Sequence, residues 1–336
     1  MFSVRTILHT FTVAPLFFTA ASLNAQTIDW TQVGYSSAPS ARENSGIAYD
    51  AATHSTVLFG GYGNPVVYGD TWTWDGTWRP MLPAASPSPR QGPAMAFDGA
   101  AGNVVLFGGS NVPFEAGEAF GDTWTWDGIN WTQQFPPVSP SALLWSSMVY
   151  DPVDKRVVLF GGTNTPDADD GFSDTWAWDG VSKTWTELHP ISHPSGRAAN
   201  PLVYDAANGA IVLFGGVTTN VTPLNDTWTW SGTDWTQQFP TSVPSPRNGP
   251  ALAYDPSLSA VVLFGGAVGT CCADSLNDTW TWNGVNWTEI YPATLPLARN
   301  SAAMDYDALR KVVLMFGGAA DSGRELDDTW FLTVAQ

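Results

Sequence analysis

Six copies of one phrase constrain this chain more than any other feature: an apolar run ending in Gly-Gly, followed by Asp-Thr-Trp. The Gly-Gly pairs begin at Gly60, Gly108, Gly161, Gly215, Gly265 and Gly317, and the triplets at Asp70, Asp122, Asp174, Asp226, Asp278 and Asp328. Successive triplets lie 52 residues apart four times and 50 apart once. A fixed period of this length means one supersecondary unit copied along the chain, each copy burying its apolar face against its neighbours.

Each copy reads as four short strands, A to D. In the first copy strand A covers residues 45–49, with Ile47 and Tyr49 two apart, matched by Met95 and Phe97 or by Leu252 and Tyr254. Strand B is the β-branched and aromatic run 56–59. Strand C carries Trp72 and Trp74 on one face, because side chains alternate along a strand. Strand D is marked by a Trp-Thr pair, as at Trp131-Thr132. The Gly-Gly after strand B fits a close backbone approach or a positive φ. With this period and signature the chain resembles the kelch-repeat family, in which each copy is one blade of a β-propeller. The resemblance implies an all-β fold, a six-bladed kelch-type β-propeller spanning residues 26–336 as one domain.

Copy six has no strand D after Trp330, whereas Asp29-Trp30-Thr31 is a strand D with no A, B or C before it. The fragments complement each other. The N-terminal strand of the mature chain is expected to close the last blade non-covalently, which removes an exposed sheet edge. Of the 18 Trp, 17 fall in strands C and D and are expected in the core; Trp145 alone lies outside the pattern.

Residues 1–25 read as a secretory signal: Arg5 is the only charge, 7–21 is mostly apolar, and Leu23-Asn24-Ala25 suits cleavage. The expectation is a secreted or periplasmic monomer without membrane insertion. The net charge of −18 argues against nucleic acid as a partner. Twelve of the 31 acidic residues are repeat positions, the Asp of each triplet and Asp50, Asp98, Asp151, Asp205, Asp255 and Asp307 after strand A. Asp suits turns, since its side chain bonds nearby backbone N–H groups.

The copies differ in one place above all. Between Gly-Gly and Asp-Thr-Trp lie 8, 12, 11, 9, 11 and 9 residues in order. In a four-stranded meander these B–C loops and the D–A connections emerge on the same face, and a constant scaffold with variable loops is how binding surfaces are carried. A glycan or protein ligand is therefore expected on that face, with Tyr62, Tyr68, Phe114, Phe120, Trp145, Asp167, Asp169, Asp170 and His189 as contacts. Trp145 stands where other copies have Asn44, Gly92, Ala199, Gly249 and Ser301. The same third copy has Leu143 in place of the Arg repeated at 42, 90, 197, 247 and 299, an acidic loop at 167–170, and His189 and His193 in the connection that follows. The repeated Arg is expected to pair with a repeated Asp rather than to form a cationic ring.

Asp305 replaces Ala or Val inside a strand A, where a carboxylate should be paired or shifted in pKa. Cys271 and Cys272 are adjacent; neighbouring Cα atoms about 3.8 Å apart lie below the usual disulfide range, which favours free or intermolecular thiols over a vicinal bridge.

Within the kelch group the chain looks most like exported bacterial kelch proteins and the propeller of galactose oxidase. That copper enzyme has seven blades and a His/Tyr site onto which His189 and His193 do not map. A six-bladed kelch sialic-acid epimerase is another relative, with no catalytic motif that transfers. No catalytic residue, cofactor or metal is assigned. The alternative reading is a carbohydrate-active enzyme using acid–base chemistry on the same face, with rim carboxylates such as Glu115, Glu118, Asp170 and Asp274. It requires two carboxyls in unlike environments within reach of one pocket.

Overall fold

The computed structural model describes residues 27–34, 37–112, 119–164, 171–218, 222–269 and 274–335. Six four-stranded antiparallel sheets stand around a common axis, each with strand A innermost and strand D outermost. In the first blade these are Gly46–Asp50, Ser55–Phe59, Thr71–Trp74 and Trp78–Met81. Strand A thus runs one residue further than expected, to the aspartate. Asp50 pairs with Ser55 across the turn, and its Oδ1 accepts the amides of Ala52 and Thr53 at 2.9 and 3.3 Å. Asp98, Asp151, Asp205 and Asp307 hold their turns in the same way.

The last blade comprises Ala303–Asp307, Val312–Phe316 and Thr329–Ala335, and its outer strand is Thr27–Val33. Seven residue pairs join that strand to Thr329–Ala335, from Thr27↔Ala335 to Val33↔Thr329. The ring is closed by hydrogen bonds, as the unmatched fragments require.

Strand B is the most buried element of every blade, with Val57, Leu58 and Phe59 and their counterparts inaccessible. Against it lie the strand D tryptophans and the second tryptophan of strand C. Each strand D indole donates to the threonine of an Asp-Thr-Trp triplet in the neighbouring blade: Trp78 to Thr329, Trp131 to Thr71, Trp185 to Thr123, Trp235 to Thr175, Trp287 to Thr227 and Trp30 to Thr279, all at 2.9–3.1 Å. The repeated threonine is therefore an inter-blade acceptor. The first tryptophan of strand C corrects the expectation of a uniform core. Trp72, Trp124, Trp228 and Trp280 are only half-buried, and each Nε1 donates to the aspartate of its own triplet at 2.6–2.7 Å; Trp330 makes the same bond to Asp328 but is buried.

Candidate functional site

On the face carrying the B–C loops and D–A connections, five blades share one clasp. Arg42 Nη1 donates to Gly60 O at 2.9 Å and to Asp70 Oδ1 at 2.6 Å, while Nη2 reaches Asp70 Oδ2 at 3.0 Å. Arg90–Asp122, Arg197–Asp226, Arg247–Asp278 and Arg299–Asp328 repeat it. The arginines are fully buried, so they are internal fasteners rather than a cationic surface. Burial pushes the Asp70, Asp122, Asp226 and Asp328 carboxyls up, but the arginine and indole donors outweigh it and hold them below the usual carboxylate range. The Gly-Gly pair belongs to the same device. Gly61 N donates to Arg90 O of the next blade at 2.9 Å, and a side chain on Gly60, whose φ is +67°, would collide with that carbonyl.

Inside the clasps runs a second ring, made of backbone alone. Gly92 N donates to Asn44 O, Trp145 N to Gly92 O, Ala199 N to Trp145 O, Gly249 N to Ala199 O, Ser301 N to Gly249 O, and Asn44 N to Ser301 O, at 2.8–3.1 Å. All six residues have φ between +51° and +60°. The circuit pinches the axial channel on this face. Trp145 is its one aromatic member and is half-buried, and its ring lies over Gly92, where a Cβ would meet the indole at 2.6 Å.

The sequence-predicted contacts separate into groups. Trp145 stands at the axis. Tyr68 and Phe120 are half-buried covers on the clasps, with the Arg42 and Arg90 guanidinium carbons 3.9 and 4.3 Å from their ring centroids. These two rings serve the scaffold, a role sequence reading did not assign them. Tyr62 is buried and exchanges backbone hydrogen bonds with Glu43. His189 is fully exposed at the end of an outermost strand, Thr184–Leu188, with Glu187 3.9 Å away. The three intervening strand spacings of about 4.8 Å put it on the periphery, so it does not join Trp145. His193 and Asp274 are also exposed. Phe114, Glu115, Glu118, Asp167, Asp169, Asp170, Cys271 and Cys272 lie outside the described residues. In the third blade Leu143 fills the arginine's place and packs with Trp176 and Phe172, leaving Asp174 exposed.

A pair of acids that sequence reading missed lies between the first and sixth blades. Glu43 is 4% exposed, and burial together with the charge of Glu325 pushes its carboxyl up to about 7. Glu325 is half-exposed and accepts the Asn64 amide at 3.0 Å. Tyr62 sits beside both: burial first, then the charges of Glu325 and Glu43, raise its phenol. The signal was present in the repeat column, where Glu43 alone is acidic among Gln91, Leu144, Ala198, Asn248 and Asn300. Asp305, by contrast, lies in the channel below the amide ring, bonded to the amides of Tyr49 and Tyr306 at 2.6 and 2.7 Å; burial pushes it up to about 6 against those donors. Among the described residues no group of three or more His, Cys, Asp or Glu is placed to hold a metal, and no helix is long and apolar enough to cross a membrane.

Comparison with known proteins agrees with this architecture. Residues 147–336, more than half of the chain, match the model of the KLHDC2/KLHL20/DRC7 Kelch-repeats domain. No curated protein sequence matches the chain significantly. Among solved structures, one titled "Structure of YjhT" superimposes with a TM-score of 0.69 at 15% identity, covering 89% of this chain and 99% of the other. At that identity the likeness concerns the fold.

Proposed function

The chain belongs to the kelch-repeat family, and from that premise we propose that it is an exported interaction propeller whose ligand, a glycan or a protein, docks on the face of the B–C loops and D–A connections. The observation that carries this reading is the position of Trp145. A six-membered backbone ring holds it at the propeller axis, where the five equivalent residues are small or polar. An aromatic platform at the centre of a rim of unequal loops suits stacking against a sugar ring or a buried anchor of a partner. The N-terminal pattern of residues 1–25 supports export. The test is thermal unfolding of residues 26–336 against a panel of mono- and oligosaccharides, followed by pull-down from the exporting cell's envelope. A stabilising shift that Trp145→Ala abolishes supports a glycan; shifts that survive the substitution move the site elsewhere.

Glu43 and Glu325 favour a second reading, an enzyme acting on a sugar by acid–base chemistry. The two carboxyls meet the requirement of unlike environments: one is buried and pushed up to about 7, the other half-exposed and accepting a backbone amide. On this reading Glu43 donates or accepts the proton and Tyr62 supports it. Loss of turnover in Glu43→Gln with ligand binding intact distinguishes the enzyme from the binding module.

A further inference from the structure

The channel beneath the amide ring has chemistry that the loop face does not use. The six innermost strands enclose a cavity of about 460 Å³. Its walls are mostly small or apolar, and its far end is belted by Tyr49, Phe97, Tyr150, Tyr204, Tyr254 and Tyr306, all half-exposed. Asp305 is the one carboxyl among the described lining residues.

Each innermost strand is a sheet edge, so the amides of alternate residues turn away from strand B and into the channel. The bonds formed there show the direction: Leu202 N donates to Ser147 Oγ at 3.0 Å, and Tyr49 N donates to Asp305 Oδ2 at 2.6 Å, each across a blade boundary. Asp305 Oδ1 accepts the Tyr306 amide at 2.7 Å. Each carboxylate oxygen thus accepts one bond and keeps a second lone pair. The fold does not require this group, since the same position holds Ala48, Ala96, Val149, Val203 and Ala253 in the other blades. No cation faces it. The titratable groups of the adjoining strands are Tyr49 and Asp50 on one side, Tyr254 and Asp255 on the other, and Tyr306 and Asp307 on its own strand. Arg310 is engaged by Asp307 and by the Asp75 carbonyl.

We propose that the channel binds a small organic ammonium compound, its cationic nitrogen on Asp305 and its apolar body within the aromatic belt. A mostly apolar cavity of this size with a few placed polar groups, here a single carboxyl among them, is the usual form of a small-molecule site. Aromatic faces attract cations, and a protein of net charge −18 concentrates them. A calcium ion takes six to eight oxygen ligands, for which one carboxylate is a poor start.

The experiment is thermal unfolding of the intact chain with phenethylammonium chloride, and with calcium chloride and sodium phenylacetate as comparison arms. The expected result is a rise of a few degrees with phenethylammonium at pH 8 that shrinks below about pH 6, as Asp305 takes up its proton. Asp305→Asn loses the rise, and so does Asp305→Ala, which copies three other blades and keeps the fold. The proposal is overturned by no rise with phenethylammonium, by an equal rise in Asp305→Asn, or by an equal rise with phenylacetate. A rise with calcium alone overturns it in favour of a metal site.

Discussion

Trp30 Nε1 donates to Thr279 Oγ1 at 3.1 Å, joining the first strand of the chain to the fifth blade across 249 residues of sequence. Trp30 is 1% exposed and packs edge-on against Phe264, with ring centroids 5.1 Å apart. The closing strand is therefore held twice, by its ladder to Thr329–Ala335 and by this anchor in the next blade. Trp30→Phe keeps an aromatic ring and strands the buried Thr279 hydroxyl, at a cost of about 1–3 kcal/mol. Trp30→Ala adds a cavity and costs about 3–5 kcal/mol. Urea unfolding at unchanged slope reads both; equal midpoints for Trp30→Phe and wild type would show that the bond contributes nothing.

The clasps are expected to be unequal to the one blade that lacks its arginine. Asp226→Asn leaves Arg197 charged and fully buried against a neutral partner, and breaking such a pair costs about 3–5 kcal/mol. Asp174 is exposed, with Leu143 where its arginine would stand, so Asp174→Asn stays within about 0.5 kcal/mol of wild type. Equal midpoints for the two variants in one denaturation series would show that the clasps are ornamental to stability.

The blade count, the closing strand and the Arg–Asp pairing were legible because they are periodic or local. Six aligned copies expose an Arg repeated in five of them and an Asp constant in all six, and an orphan Trp-Thr must pair somewhere. The axial ring was not legible. It needs φ near +55° at Asn44, Gly92, Trp145, Ala199, Gly249 and Ser301, residues with no composition in common. Glu43 stood out in its column, but its meeting with Glu325 depends on ring closure bringing residues 282 positions apart side by side. The separation of His189 from Trp145 was not legible either, because a D–A connection begins at the outer edge of a blade and only later reaches the axis.

Stability is expected to fall on both the acid and the alkaline side of a maximum, through different carboxyls. Asp305 and Glu43 are pushed up to about 6 and about 7 when folded, above their unfolded values near 4. The native state therefore holds protons that the unfolded chain has released, and stability falls as pH rises from about 4 to about 7. The clasp aspartates are held low, so their contribution is present above about pH 4 and is lost as pH falls through their folded values. Urea midpoints measured from pH 3 to 8 should peak between these limits. Asp305→Ala and Glu43→Gln should each flatten the decline on the alkaline side, and a decline unchanged in both would remove these carboxyls as its source.

Trp145 and Gly92 form the remaining coupled pair. Trp145 occupies a left-handed conformation, φ +55°, which a bulky side chain adopts at a cost of about 1–2 kcal/mol. That cost is borne at the propeller axis, where Gly249 shows that a glycine completes the same hydrogen bond. Trp145→Gly removes the strain together with the ring's contact on Gly92, so it should fold with a midpoint within about 1 kcal/mol of wild type while losing ligand. Gly92→Ala places a methyl against the indole at 2.6 Å in a backbone conformation, φ +60°, that alanine resists. It should destabilise by about 1–3 kcal/mol and displace the indole, and so weaken the same ligand without touching it. Adding Trp145→Gly removes the clash, so the double variant should recover part of the lost stability but none of the binding. A double variant whose losses are simply additive would mean that the two residues act separately, and the platform would have to be sought among the loops instead.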